Sequence, residues 1–151
     1  MPSRRDQIKM DEEELRAFLD EQLVMQVATN GPRGLPHVVP LWFIPGEELR
    51  GWTFAKSQKA RNLERDPRAT VAIEDGVEYA ELRGVTIECD VELERDTERV
   101  AEIGEALVDR YAGGGKEMKE FFRAQAPKRV GLTFRPRRVA SWDHRKLAGT
   151  Y

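Results

Sequence analysis

Cysteine occurs once in the 151 residues, at Cys89, and histidine twice, at His37 and His144. A lone cysteine closes no intrachain disulfide, which fits a reducing compartment, and two histidines with one thiol make no metal-ligand cluster. Long apolar runs are missing too. No window approaches the roughly 18 consecutive apolar residues of a membrane helix, and the opening MPSRRDQIKMDEEE has no apolar stretch of a signal peptide. The expectation is a cytoplasmic chain with no membrane partner. Nor does charge of one sign dominate, since 25 Lys and Arg stand against 27 Asp and Glu, a net charge of -2. That balance disfavours a nucleic-acid partner, and no strand shows aromatics interleaved with cations. Internal repeats and low-complexity segments are absent. At this length one domain, 1–151, buries about 70% of its unfolded surface in one core.

The periodicities that are present alternate between strand and helix. DEEELRAFLDEQL spaces Leu15, Phe18, Leu19 and Leu23 helically, with Asp11 and Glu14 in a capping-box layout. LVMQVATN sets Met25 and Val27 opposite Val24 and Gln26, and the turn-rich NGPRGLP predicts a hairpin into HVVPLWFI. That segment is apolar on both faces, which predicts a strand covered on both sides. PGEE leads to a third strand, LRGWTFA, expected to end near Ala55. ATVAIED follows, and then an alternation of Val85, Ile87, Cys89, Val91 and Leu93 against Glu88, Asp90 and Glu92. From Thr97 the spacing of Val100, Ile103, Leu107 and Tyr111 predicts a helix that GGG stops. KEMKEFFRAQAP reads as a short helix with Met118, Phe121 and Phe122 inward, and RVGLTFRPRRVASW as a last strand. About six strands and three or four helices, ordered as hairpins and a meander, define an α+β chain of mainly antiparallel β, with a small barrel as the natural closure.

One segment carries chemistry. In WTFAKSQKARNLERDP a strand ends, Ser57 is suited to cap a helix, and cations follow. Such a turn aims backbone N–H groups at one spot, where an anion gains from the helix dipole and from Ser57, Lys56, Lys59 or Arg61; phosphate is the obvious guest. The competing explanation is an ordinary solvated face, with Lys56, Lys59, Arg61 and Arg65 partly paired to Glu64 and Asp66.

The run SQKARNLERDPRATVAIED, following VPLWF and WTFA, resembles the FMN-binding split β-barrel superfamily of pyridoxamine 5'-phosphate oxidase-like proteins. In particular it resembles the branch of flavin- and deazaflavin- (coenzyme F420-) dependent oxidoreductases. The pattern Lys-x-x-Asn-Leu-x-x-Asp-Pro falls on Lys59, Asn62, Leu63, Asp66 and Pro67. The resemblance implies a six-stranded split barrel with flanking helices. It puts Ser57, Gln58 and Lys59 on the cofactor phosphate with Lys56, Arg61 and Asn62 nearby, and the backbone of Val39, Pro40 and Leu41 beside the ring. It also implies a homodimer with cofactor sites at the subunit interface, within reach of Trp142, His144, Arg145 or Lys146 from the C-terminal segment WDHRKLAGTY. True pyridoxamine phosphate oxidases carry an Arg and a Lys on the second strand; here His37 follows Pro36 and no cation is present. Vitamin B6 oxidation is therefore disfavoured, and F420 is favoured over FMN.

Trp42, Trp52 and Cys89 read as core. His37 and His144 are candidate proton donors, although a lone strand histidine is more often a structural hydrogen-bonder. The expected activity is hydride transfer from reduced deazaflavin to an unsaturated or quinone-like small molecule. FMN chemistry, or a non-catalytic flavin, F420 or haem carrier of the same fold, is the alternative.

Overall fold

The structure, a computed structural model, describes residues 1–149. Helix α1 (Arg4–Ile8) precedes the expected amphipathic helix α2 (Glu12–Glu21). Asp11 caps α2 by accepting from Glu14 N at 2.8 Å, and the Glu14 side chain returns to the cap. Phe18 and Leu19 turn inward, whereas Leu23 lies past the helix end and is exposed.

Six strands form one antiparallel sheet, β1 (Met25–Asn30), β2 (Pro36–Leu41), β3 (Leu49–Phe54), β4 (Arg68–Asp75), β5 (Arg83–Glu94) and β6 (Arg129–Asp143), in the order β2-β1-β4-β5-β6-β3. The sheet curls into a half-barrel. Its two edges approach where Ile44 bridges Arg50, and Gly51 lies so near Leu41 and Trp42 that an added Cβ would come 3.1 Å from the Trp42 carbonyl oxygen. The expected alternation holds on β5, where Val85, Ile87, Cys89 and Val91 are buried with Met25, Val27, Val71, Ile73, Leu132 and Phe134 in one core. Burial among these side chains pushes the Cys89 thiol up to about 12, so it packs as a small apolar group.

Helix α3 (Gln58–Arg65) links β3 to β4, and α4 (Thr97–Tyr111) packs Val100, Ile103 and Leu107 around Trp52 in a second core. α4 stops at Ala112, followed by Gly113 and Gly114 at φ 75° and 74°, values that favour glycine. Arg110, in its last turn, donates to the carbonyls of Leu19, Asp20 and Gln22 and to that of Phe43. These bonds satisfy carbonyls at and just beyond the C-terminus of α2.

Other expectations change. Trp42, read as core, is 45% exposed and stacks on Tyr111 at 4.3 Å, because it lies just past the end of the edge strand β2. β2 ends at Leu41 and is an edge strand, so Val38 is 56% exposed instead of covered. Pro36 and Pro40, which donate to no ladder, suit that edge. On α5 (Lys116–Ala124) Phe122 stacks on Trp52 at 5.6 Å, but Met118 and Phe121 are exposed; Phe121 diverges from the adjacent Phe122 by about 100° around the helix.

Candidate functional site

Ser57 opens α3 as expected: its hydroxyl accepts from Ala60 N at 3.1 Å, and its own N–H closes the turn onto Phe54 O at 3.0 Å. Ala55 N donates to Lys128 O at 2.9 Å, which pins the turn to the start of β6. The buried side of α3 carries the polar Lys59 and Asn62 beside the apolar Ala60 and Leu63. Gln58 Nε2 donates to Asn62 Oδ1 at 2.7 Å, and the fully buried Asn62 donates to Thr29 Oγ1 at 3.0 Å. Lys59, 5% exposed, reaches Thr53 Oγ1 at 3.4 Å, with the Ser57 hydroxyl at the same distance from that oxygen. Burial lowers the Lys59 pKa.

The acids expected to neutralise Lys59 are engaged elsewhere. Glu64 pairs with Arg95 at 3.2 Å, while Asp66 takes a bidentate bond from Arg68 and one from Asn30, which hold its carboxyl well below the usual range. Among the described residues no carboxylate pairs with Lys59, Lys56 or Arg61; the last two are exposed. A desolvated ammonium at a helix N-terminus without a counter-ion is a donor set that fits a phosphate. The solvated-face explanation fails for Lys59 and stands for Lys56 and Arg61.

Thr29 and Thr53 were not legible as site residues. Their signal is weak: each is a polar residue at an inward position of an alternating strand, Thr29 after Met25 and Val27, Thr53 after Gly51.

β2 lies against the same cluster through β1. Its register sets His37 opposite Thr29, Val39 opposite Val27 and Leu41 opposite Met25, which places His37, Val39 and Leu41 on the inward face and Pro40 on the other. Val39–Leu41 therefore runs away from α3 along the free edge of the sheet.

Trp142, His144 and Lys146 are not brought to this cluster within the chain. Trp142 pairs with Gly84, whereas Arg68, which opens β4 shortly after α3, pairs with Asp90, six positions along β5 and about 20 Å away. The segment has structural partners: His144 Nδ1 is 2.9 Å from Tyr79 O, and Lys146 bonds Lys9 O at 2.7 Å and Glu14 at 2.8 Å. Arg145 clamps the buried Asp143.

The cations of RPRR are also occupied, Arg135 by Glu48 and Glu92, Arg137 by Asp90 and Arg138 by Glu88. Among the described residues there is no group of three or more His, Cys, Asp or Glu that could hold a metal ion, and no helix long and apolar enough to cross a membrane. A cavity of about 640 Å³ opens between α2 and the start of β3, lined by Leu15, Leu19, Leu49, Ile87, Phe134 and Val139.

A curled antiparallel half-barrel of six strands, with an anion-suited turn between its third and fourth strands, defines a small split barrel. The chain belongs to the family described as pyridoxamine 5'-phosphate oxidase, whose model matches residues 11–143. It is similar to a conserved hypothetical protein of Mycobacterium tuberculosis, 38% identical, with a TM-score of 0.90 over 99% of this chain and 95% of that one. An F420 reductase is 27% identical, with a TM-score of 0.64 over 82% of this chain and 94% of its own. The fold is shared with a haem storage protein of Vibrio cholerae, 21% identical, with a TM-score of 0.68 over 85% and 92% of the two chains. Among curated proteins none matches.

Proposed function

We propose that the protein binds a phosphate-bearing flavin-type cofactor, coenzyme F420 ahead of FMN, at the turn between β3 and α3. Bound in reduced form, it would transfer hydride to an unsaturated or quinone-like small molecule. The observation that carries this reading is Lys59, a buried cation with no carboxylate partner at the capped N-terminus of α3. Family membership and likeness to an F420 reductase support the choice of cofactor. Ser57, Gln58, Lys59 and Asn62 would hold the phosphate end, with Lys56 and Arg61 adding charge from the rim. The backbone of Val39, Pro40 and Leu41 would lie beside the ring. When bound, the cofactor supplies the hydride chemistry, and the protein supplies position and electrostatics. We further propose a homodimer in the cytoplasm: the apolar, half-exposed edge strand β2 needs a partner surface, and across a two-fold interface Trp142, His144, Arg145 and Lys146 of one copy would line the site of the other.

Titration of the pure protein with F420 and with FMN, followed by fluorescence and absorbance, tests the reading. F420 is expected to bind at least about tenfold tighter, a gap of roughly 1.4 kcal/mol. Equal or tighter FMN binding would overturn the F420 assignment, and binding of neither would overturn the reading. Likeness to a haem storage protein favours a second possibility, binding without turnover. Substrate-dependent oxidation of bound, reduced F420 separates the two.

A further inference from the structure

His37 is half-buried, and its Nδ1 lies buried with no hydrogen-bond partner. A neutral imidazole carries one proton, and a buried N–H without an acceptor costs more than a buried lone pair without a donor. The proton of neutral His37 is therefore on Nε2. That nitrogen has no partner in the chain and is not among the buried unpaired atoms, so it faces the open side of the ring. His144 is the opposite case: its Nδ1 lies 2.9 Å from the Tyr79 carbonyl oxygen, which only accepts, so its proton is on Nδ1. The two histidines of the chain thus hold opposite tautomers.

The place of His37 gives its free donor a use. It sits on the edge strand directly across from Thr29, whose hydroxyl takes the bond from Asn62 of α3. Two residues further along the same face comes Val39. The imidazole accordingly sits on the strand face that runs from the Thr29–Asn62 hydrogen bond of α3 toward the stretch Val39–Leu41. Resting on the cofactor reading above, we propose that His37 is a binding residue whose Nε2–H donates to an oxygen of the bound cofactor between its phosphate and its ring. One uncharged donor would stand there in place of a second-strand cation.

The test uses the full chain labelled with ¹⁵N-histidine at pH 8, above the ordinary imidazole range. Ring-nitrogen spectra are recorded before and after addition of FMN and, separately, F420, with His144→Gln assigning the signals. The expected result is a protonated Nε2 on His37 and a protonated Nδ1 on His144 in the free protein, with the His37 Nε2 signal shifting on binding. His37→Leu should weaken binding about three- to tenfold, the range for one neutral hydrogen bond, while His37→Gln, whose amide N–H falls near the Nε2 position, should stay within about twofold of wild type. A protonated Nδ1 on His37 overturns the proposal whatever the affinities. If a cofactor binds and Lys59→Met weakens it, yet the His37 signal is unmoved and His37→Leu binds as wild type, this proposal falls while the cofactor reading stands. If neither cofactor binds, both fall. A poorly folded His37→Leu leaves the tautomer and the binding shift as deciding measurements on the unmutated chain.

Discussion

The Lys59 ammonium lies 3.4 Å from the Thr53 hydroxyl and is 5% exposed, with no carboxylate to balance it among the described residues. A charge held this way is a cost to the ligand-free fold that a bound anion removes. Lys59→Met should therefore stabilise the free protein by about 1 kcal/mol, roughly 2 to 4 °C in melting temperature, while weakening F420 or FMN binding about tenfold to a hundredfold. The pH dependence has a definite sign. Burial puts the folded pKa below 10.5, so between the two values the unfolded chain holds more protons and the Lys59 contribution to stability rises with pH. The mutant should lose that slope. Melting curves from pH 7 to 10 with paired titrations check it, and a destabilised mutant with unchanged affinity would count against the site.

Ser57→Ala separates capping from binding. The lost bond to Ala60 N should lower stability by about 1 kcal/mol, and binding should weaken less than in Lys59→Met. Thermal melts beside calorimetric titration give both numbers. An unchanged melt would mean that Ser57 does not cap α3 in solution.

Arg110 should be the most sensitive surface-reaching residue for stability, because its fork joins α4 to carbonyls of Leu19, Asp20, Gln22 and Phe43. Arg110→Ala should cost about 2 to 3 kcal/mol by stranding several of those oxygens. Arg110→Lys should recover little, since one ammonium cannot span the same set. A lysine variant that melts like wild type would refute the bridging role.

Val38 tests the proposed dimer. It is 56% exposed on the outer face of β2, and an aspartate there should leave the monomer fold intact while opposing burial against a second copy. Sedimentation equilibrium at micromolar concentration should show a wild-type dimer and a Val38→Asp monomer with weakened cofactor binding. A wild-type monomer would remove both the dimer and the shared site.

What the sequence discloses depends on whether a pattern has one physical solution. The alternation Val85 to Leu93 and the three-four spacing from Val100 to Tyr111 each do, and both elements fold as expected. Ser57 was legible because capping is local. HVVPLWFI has no single solution, because apolar residues on both faces fit a strand covered by its own chain or an edge awaiting another surface, and within the chain it is an edge. Phe121 was misread because it is adjacent to Phe122 and only one of the two can face the core. The sheet order, with β3 on β6, was not legible, since alternation sets which face is buried but not which strand lies alongside. Nor was the burial of Lys59: in a run of cations nothing marks the one that loses its water.

The turn before α3 is tied to Lys128, and β3, which leads into it, pairs along its length only with β6. Both tethers lie far downstream of α3 in the sequence. Synthesised at about 5 to 20 residues per second, the segment Ser57 to Asn62 therefore waits several seconds for the strand that holds it, although β1 and β2 can pair at once. A chain cut before Arg129 would keep Ser57, Gln58, Lys59, Asn62, Thr29 and His37 yet lack the support that shapes them into a receptor. The receptor-shaped turn is thus completed by a strand far from it in sequence, so local capping alone does not form it.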